Sequence, residues 1–458
     1  MVLQLCNSGC AKEKYVANPI NHNQIIDQLT NKNINSAGFN DYLLSQGFNA
    51  HQLPFSKWGL NELTHCALYH HTKLNIAKSQ LALANAQIDT VNLRQAPIIN
   101  NETSRSNRKN NDISPWALSL SVQIPIETTN KRESRVEEAS FFAQAAKLDV
   151  ADIAWQLRSQ IAVDLLRYHQ HIALINIHEY ELDTQTKIIN ILQKRVDLGV
   201  LSNTDLNIAN LTRQISQATL IEEQSKLAEI RANLAASVGL SVENFDAITL
   251  KQLDMEKTLS VYHLRFDTIQ KFKSLQADAL LNRIDVRRSL AKYSAAESRI
   301  KLEIAMQTPD ILLSPGYAFE FGDSVWSLGF SSLLSLLKNN QTLINEATVL
   351  REIEGAQFEA LQASIIATLN QKIANYQTSI NMTKSLKTQL EKQLQQSQKL
   401  NKQFAAGLID RLKLNQNQLD EITIKKQLLA EEHHLLKCIL SIEDVMQKPI
   451  SEAEIIYK

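Results

Sequence analysis

Apolar side chains recur along most of the chain at the spacing of an α-helix that packs along one face. In the longest stretch they step by three and four residues, which is the spacing of a coiled-coil seam. The positions are Val136, Ala139, Ala143, Ala146, Val150, Ile153 and Leu157. Because no Gly or Pro occurs between Lys131 and Leu198, the pattern predicts one continuous helix about 100 Å long, at about 1.5 Å per residue. A globular core needs no helix of that length, so we expect an elongated molecule.

The same pattern occurs twice in the chain. The segment LNIAKSQLALANAQI, which starts at Leu74, is similar to VRRSLAKYSAAESRI, which starts at Val286, and KRVDLGVLSNTDL is similar to KQFAAGLIDRLKL. The offset stays at about 210 residues, too long for a solenoid unit, so the chain consists of two large halves. Gly199 and Gly407 are predicted to mark the point where the chain of each half reverses, because glycine readily adopts the left-handed conformation that ends a helix.

Each half is predicted to run helix, two strands, long helix, short turn and helix. In the first half, the helix before the strands is expected at roughly 62–91. The expected parts are an N-terminal export and extension region at 1–60, the first repeat at 61–240, an equatorial segment at 241–282, the second repeat at 283–447 and a C-terminal tail at 448–458.

Between the helices, segments 97–126 and 309–337 change to alternation at every second residue. The apolar positions are Leu118, Leu120, Val122, Ile124 and Ile126 in the first segment and Tyr317, Phe319 and Phe321 in the second. This alternation is typical of strands in a membrane β-barrel, although strands that cap a soluble domain show it too. Four strands cannot close a barrel, and lipid does not tolerate an open sheet edge. Membrane strands would therefore require several chains to share one barrel.

Composition narrows the classes of function. The 458 residues include only 11 Gly and 8 Pro, which excludes a loop-rich chain of many short strands. The chain has 48 Lys and Arg residues and 48 Asp and Glu residues, so it has no net positive charge that would attract nucleic acid. No uncharged apolar run approaches the roughly 18 residues of a spanning helix. We expect a mainly helical protein with no nucleic-acid partner.

The four cysteines show neither zinc spacing nor a disulfide framework. Cys66 and Cys438 are expected to be buried or idle thiols. Cys10 differs, because Ser8-Gly9-Cys10 resembles the end of a bacterial lipoprotein cleavage box, although Asn7 stands where an aliphatic residue is usual. Cys10 is therefore a candidate for lipidation of an exported protein, and we expect the recorded start to be truncated or a signal to have been removed.

No catalytic group of residues is evident. His169 and His171 lie two apart on a predicted helix and face roughly opposite sides, and none of the 11 histidines shows the i,i+4 pairing that binds zinc on one helix. No glycine loop suited to phosphate occurs either. We expect no enzymatic activity, no cofactor and no resident metal, so a partner must supply the energy for any transport.

Four segments together resemble the TolC-like outer-membrane efflux protein family, and within it the heavy-metal branch typified by CzcC-like proteins. They are SPWALSLSVQIPIETTNKR, RIDVRRSLAKYSAAESRIKLEIAMQTPDILLSPGY, AAGLIDRLKL and LSIEDVMQKPI. The resemblance extends from about Phe39 to Ile450. It implies a fold that is mainly α with a β-barrel part: a long antiparallel coiled-coil tunnel plus four membrane strands per chain, with the barrel closed by trimerisation.

The resemblance also implies partners and a location. A homotrimer would sit in the lipid of the bacterial outer membrane, with its helical tunnel in the periplasm. A periplasmic adaptor, also called a membrane fusion protein, and an inner-membrane RND-type pump would complete the tripartite system.

The two turns acquire a role from the same resemblance, because the family's turns form the periplasmic tip that closes at rest and meets the adaptor. The implied gate and docking residues are Arg195, Gly199, Ser202, Asp205 and Leu206 in the first turn and Gly407, Asp410, Arg411, Lys413 and Leu414 in the second. Helix caps and a solvated ion pair are the alternative interpretation, since Ser202 and Asp410 are good N-caps. Three copies of Asp205 would ring the pore axis. Lys413 holds the matching repeat position, where this branch commonly has an acidic residue, and it argues against a second acidic ring.

The predicted function is that of an outer-membrane duct that exports heavy-metal cations. One alternative keeps the same duct but exports organic compounds, drugs or proteins. The other, of a different class, is a periplasmic coiled-coil adaptor or scaffold, which would share the long helices but not the barrel strands.

Overall fold

The protein is a long layer of helices with a small sheet at one end. The computed structural model describes residues 14–107, 114–263, 269–332 and 340–449. The helices are α1 (His22–Thr30), α2 (Ala37–Ser45), α3 (Leu60–His70), α4 (Thr72–Asn92), α5 (Lys131–Asp197), α6 (Asn203–Val238), α7 (Val242–Asp246), α8 (Met255–His263), α9 (Ile269–Asn282), α10 (Ile284–Ala305), α11 (Gln341–Ala405) and α12 (Arg411–Met446). The strands are β1 (Ile98–Arg105), β2 (Trp116–Ile126), β3 (Ile311–Glu320) and β4 (Asp323–Ser332). This combination confirms the predicted mainly helical fold with a β part.

Two long helices form the frame of the layer. α5 has 67 residues and α11 has 65, so each is about 100 Å long. Nearer the sheet, α5 packs between α4 and α10, and α11 packs on the other side of α10. At the opposite end, α5 packs between α6 and α12, and α11 packs on α12. The shorter helices are thus stacked in two columns, which leaves α4 and α6 at one edge of the layer and α11 at the other.

The helix before the strands of the first repeat is interrupted, whereas the sequence predicts one helix over roughly 62–91. α3 and α4 separate at His71. α6 ends against this break, since a Cβ atom at Gly239 would lie 3.0 Å from the Cα atom of His71. The ammonium group of Lys32 donates to the carbonyl oxygens of both His70 and Gly239, at 2.8 Å each. One lysine therefore satisfies terminal carbonyls of two helices where they meet.

The sheet is antiparallel in the order β1-β2-β3-β4, so β1 and β4 each have an unpaired edge within the chain. Directly paired residues share a face, and the register therefore separates an apolar face from a small or polar one. On the apolar face, β2, β3 and β4 carry Trp116, Leu118, Leu120, Val122, Ile124, Ile126, Ile311, Leu313, Tyr317, Phe319, Trp326, Leu328 and Phe330. On the opposite face they carry Ser119, Ser121, Gln123, Ser314, Gly316, Ala318, Ser327, Gly329 and Ser331, with Leu312 and Val325 as apolar exceptions.

The main apolar core lies midway along the layer. Phe39 of α2, Trp58 and Phe245 of α7 are buried there together with Ile161 of α5. The backbone N–H of Trp58 donates to the carbonyl oxygen of Thr249 at 2.9 Å, which ties the N-terminal region to the segment between the repeats. Among the residues that the structure describes, no helix is both long enough and apolar enough to span a lipid bilayer.

Candidate functional site

The first tip turn joins α5 to α6 through Gly199. Its φ of +69° lies in the left-handed region that glycine adopts without a steric penalty. The backbone N–H of Val200 donates back to the carbonyl oxygen of Arg195 at 2.9 Å and closes the end of α5. The hydroxyl oxygen of Ser202 accepts from the backbone N–H of Thr204 at 3.2 Å and caps α6. Backbone groups at the end of α5 and at the start of α6 thus find hydrogen-bond partners within a few residues of the turn.

The second tip turn joins α11 to α12 and is built in the same way. Gly407 has a φ of +72°. The backbone N–H of Leu408 donates to the carbonyl oxygen of Gln403 at 2.9 Å. The carboxylate of Asp410 accepts from the backbone N–H of Lys413 at 2.9 Å and caps α12. The two turns therefore share one backbone construction but differ in the charge of the cap.

An ion pair joins the two turns. The guanidinium group of Arg195, in the last turn of α5, donates to the carboxylate of Asp410. The backbone N–H of Lys413 and this guanidinium group hold the pKa of the Asp410 carboxyl below its usual range. The two side chains are 36% and 49% exposed, so solvent screens the pair and its contribution to stability is small. It nevertheless links the last turn of α5 directly to the N-cap of α12.

Apolar side chains pack behind the turns in a group that we call the tip cluster. Its buried members are Ile188, Leu192 and Leu206, and its half-buried members include Val196, Leu201, Leu412 and Leu419. Leu206, expected at the tip, is a member, whereas the other members carry no local sequence signal that marks them as tip residues. At the turns themselves, Leu198, Val200 and Leu408 are 79%, 73% and 74% exposed. The tip thus has an apolar interior and an apolar outer end.

The remaining expected tip residues lie at the surface. Asp205 is exposed in the first turn of α6, where the helix dipole favours a carboxylate. Arg411 and Lys413 are exposed at the start of α12, and Leu414 is half-buried. In the part of the chain that the structure describes, no ion pair links Asp205 to Arg411 or Lys413.

The cysteines divide between the core and the N-terminus. Cys66 and Cys438 are both buried, and burial raises the pKa of the Cys66 thiol to about 12. A thiol so protonated is a poor nucleophile. Cys10, the candidate for lipidation, lies outside the described residues.

A polar network between α11 and α12 was not found from the sequence. The side-chain amide of Gln393 donates to the Oδ1 atom of Asn417 at 2.9 Å, and Asn417 donates in turn to the hydroxyl oxygen of Ser397 at 2.7 Å. The Ser397 hydroxyl donates to the Glu421 carboxylate at 3.0 Å. Asn417 is only 6% exposed. Asparagine at a core position of a coiled-coil seam is the signal that could have indicated this network.

Histidines lie at the seams that α5 makes with its neighbours. The Nδ1 atom of His171 lies 2.6 Å from a carboxylate oxygen of Glu223 on α6. On α12, the buried His433 donates from Nδ1 to the carbonyl oxygen of Leu429 at 2.8 Å. Burial, reinforced by His433, lowers the pKa of His169 to about 4. Within the described ranges, no group of three or more His, Cys, Asp or Glu side chains is arranged to hold a metal ion.

The sequence of the first repeat carries a family match. Residues 63–240 match the outer membrane efflux protein family. The matched part is less than half of the chain and contains α3 to α6, including the first tip turn. No curated protein matches the chain.

Solved structures share the fold over most of the chain. The outer membrane protein VceC from Vibrio cholerae aligns with a TM-score of 0.67 and 16% identity, over 86% of this chain and 97% of VceC. CusC aligns with a TM-score of 0.65 and 16% identity, over 88% of this chain and 95% of CusC. The open state of the Neisseria gonorrhoeae outer membrane channel MtrE aligns with a TM-score of 0.64 and 14% identity, over 86% of this chain and 89% of MtrE. The predicted combination of a helical part and a β part is therefore the fold of known channels. The location expected for this chain is also that of its matches, since the matched family, VceC and MtrE are all described as outer-membrane proteins.

Proposed function

We propose that this chain is the outer-membrane duct of a tripartite efflux system and that three copies close one barrel. The observation that carries the proposal is a sheet with one apolar face, a second face of mostly small or polar residues and two unpaired edges. In lipid, an unpaired edge leaves backbone groups without hydrogen bonds. A barrel of about eight strands is filled by its own side chains, so two copies would leave no duct, whereas three copies of four strands leave a channel.

The helical layer supports the same assembly. Exposed apolar residues lie at both of its edges. Near the tip they are Ile208, Leu211 and Ile215 on α6 and Leu394 on α11. Nearer the sheet they are Ile76 and Leu83 on α4 and Leu343, Leu350 and Ile353 on α11. Contact between these edges in neighbouring copies would bury them and close the layer into a tunnel. With the sheet in the outer membrane, the helices would extend about 100 Å into the periplasm.

The tip is the surface proposed for gating and for docking of the adaptor. Both turns expose apolar side chains on a rigid, capped backbone, which suits docking of another protein. Leu198, Val200 and Leu408 are the exposed residues. An inner-membrane RND-type pump, joined through the adaptor, would supply the energy, and we propose no catalytic role for the duct.

The proposed cargo is heavy-metal cations, on the basis of the resemblance to the heavy-metal branch. Its test is a strain that lacks the gene, challenged with a panel of metal salts and of dyes. We expect lower metal tolerance, restored by the parent gene. Unchanged metal tolerance with new sensitivity to dyes would instead support export of organic compounds through the same duct.

Asp205 is the proposed carboxylate of a cation-attracting constriction. Asp205→Asn should weaken block of the pore by divalent cations in a planar bilayer, because three negative charges would leave the constriction. Asp183→Asn is the matched control, since Asp183 is also exposed but pairs with Lys187 along α5. Identical block in Asp205→Asn and the parent would remove Asp205 from the gate.

Cell fractionation separates the duct from a periplasmic adaptor or scaffold. A duct should require detergent for extraction from the outer membrane, and the extracted protein should conduct ions in a planar bilayer. Recovery of the chain in the soluble periplasmic fraction, with no conductance, would contradict the proposal.

A further inference from the structure

A cavity of about 540 Å³ lies where the helical layer meets the sheet. Its walls come from the link between α4 and β1 and from the link between β2 and α5. Arg94 and Arg132 provide part of the lining, and Pro97, Ile124 and Ile126 provide an apolar wall. Ile124 and Ile126 stand on the apolar face of the sheet, at its end nearest the helices. The cavity therefore has an apolar side toward the sheet and a charged side toward the helices.

The charges around this cavity leave one cation without a carboxylate. The ion pairs at its lining are Arg135 with Glu127 at 2.5 Å, Lys131 with Asp310 at 2.6 Å and Arg132 with Glu133 at 3.3 Å. Arg94 also lines the cavity, and it forms no ion pair with any residue that the structure describes. The surroundings thus carry a surplus of one positive charge.

The helix that starts here contributes little to this preference for an anion. The side chain of Asn130 at the N-cap of α5 accepts no hydrogen bond from the first turn, but the Glu133 carboxylate lies in that turn and offsets the positive end of the helix dipole. Arg94 therefore carries the preference. Because a guanidinium group binds phosphate in a bidentate fashion, its surplus charge favours a phosphate group with a single negative charge.

We propose that this cavity binds the phosphodiester headgroup of an anionic phospholipid, with the start of its acyl chains along Ile124 and Ile126. The proposal rests on the proposed position of the sheet in a membrane, which places the cavity at the boundary between lipid and periplasm. Free phosphate has no acyl chain and would leave the apolar wall unused, so the lipid is the occupant to which the chemistry points.

The test uses the full-length protein, purified in detergent, with phosphatidylglycerol added and retained lipid measured by native mass spectrometry. Phosphatidylcholine and inorganic phosphate are the comparison ligands. The parent should retain phosphatidylglycerol in preference to phosphatidylcholine. Arg94→Gln should reduce this retention about tenfold, the loss expected for one charge-assisted hydrogen bond.

Two further variants and a competition complete the test. Arg94→Lys keeps the charge without the planar fork, so we expect intermediate retention. Arg105→Gln is the matched control, because Arg105 lies over the ring of Trp116 at the other end of the sheet, and it should retain lipid like the parent. Equal retention in Arg94→Gln and the parent, or displacement of the lipid by millimolar inorganic phosphate, would overturn the proposal. A chain that proves not to be a membrane protein would instead fail in fractionation, before any lipid is added.

Discussion

The carboxylate of Asp410 holds two parts of the tip with its two oxygens. One accepts from the backbone N–H of Lys413, and the other accepts from the guanidinium group of Arg195, which lies 215 residues earlier in the chain. Each group alone favours the ionised form of Asp410, which is why its pKa is lowered. The cap is a local feature of α12, whereas the ion pair exists only because α5 and α12 pack side by side.

Substitutions at Asp410 separate these two contributions. Asp410→Ala should destabilise the start of α12 by about 1 kcal/mol through loss of the cap. Asp410→Asn keeps an oxygen that can cap the helix, so it should destabilise α12 less than Asp410→Ala does. Arg195→Gln should also destabilise it less, because an exposed ion pair contributes little to stability. Hydrogen exchange at the Lys413 amide measures the difference. Equal exchange in Asp410→Ala and Asp410→Asn would show that the cap is not what holds the turn.

Two left-handed glycines should respond differently to alanine. At Gly407, φ is +72° and a Cβ atom would meet nothing within 4 Å, so Gly407→Ala should cost only the left-handed conformation, roughly 1–2 kcal/mol. At Gly239, φ is +83° and the Cβ atom would also lie 3.0 Å from the backbone of His71. Gly239→Ala should therefore lower the melting temperature more than Gly407→Ala. Equal melting temperatures would mean that α6 does not end tightly against His71.

Some residues of the site could be predicted from the sequence and others could not. Gly199, Gly407, Ser202 and Asp410 could be assigned to turns and caps because glycine and N-cap preferences act within a few residues. The link from Arg195 to Asp410 could not, since no local pattern specifies which helices become neighbours.

At the scale of elements, the seam between α5 and α12 contains buried histidines. Burial lowers the pKa of His169 to about 4 and also lowers the pKa of His433. Both rings are therefore neutral in the fold at neutral pH. Glu223 on α6 and His171 on α5 lie nearby as a hydrogen-bonded pair.

This seam should lose stability in acid. As pH falls from about 6.5 to about 4, the unfolded chain takes up a proton at His169 that the folded protein does not bind, so the free energy of unfolding decreases over that window. His169→Gln should flatten the dependence of the melting temperature on pH between these values. His22→Gln, on the exposed α1, is the control and should leave the slope unchanged. A slope in His169→Gln as steep as in the parent would contradict this account.

The elements themselves were partly predictable. A continuous seam without Gly or Pro predicted α5, because a helical period sustained over many turns has no competing interpretation. The repeat predicted a second long helix, and α11 continues through Gly355. The break between α3 and α4 was not predicted, because the groups that contact it, the end of α6 and the side chain of Lys32, are brought there by tertiary packing. The amide network of Asn417 was missed for the same reason, since its partners lie on another helix.

At the scale of the whole molecule, a single chain leaves both its sheet and its helical layer open at the edges. The sheet has two faces and two free edges, and the helical layer likewise ends in α4 and α6 at one side and α11 at the other. The sequence predicted this need for further copies from the strand number alone. It could not identify which helices form the edges, because that order depends on how the two repeats pack.

The most direct test of the account is the number of chains in the particle extracted from the outer membrane. Native mass spectrometry of the detergent-solubilised protein counts them without any assumption about shape. The account predicts three copies of the chain, since three copies of a four-stranded sheet close around an open channel. A particle with one or two copies would contradict it, because neither number leaves a duct.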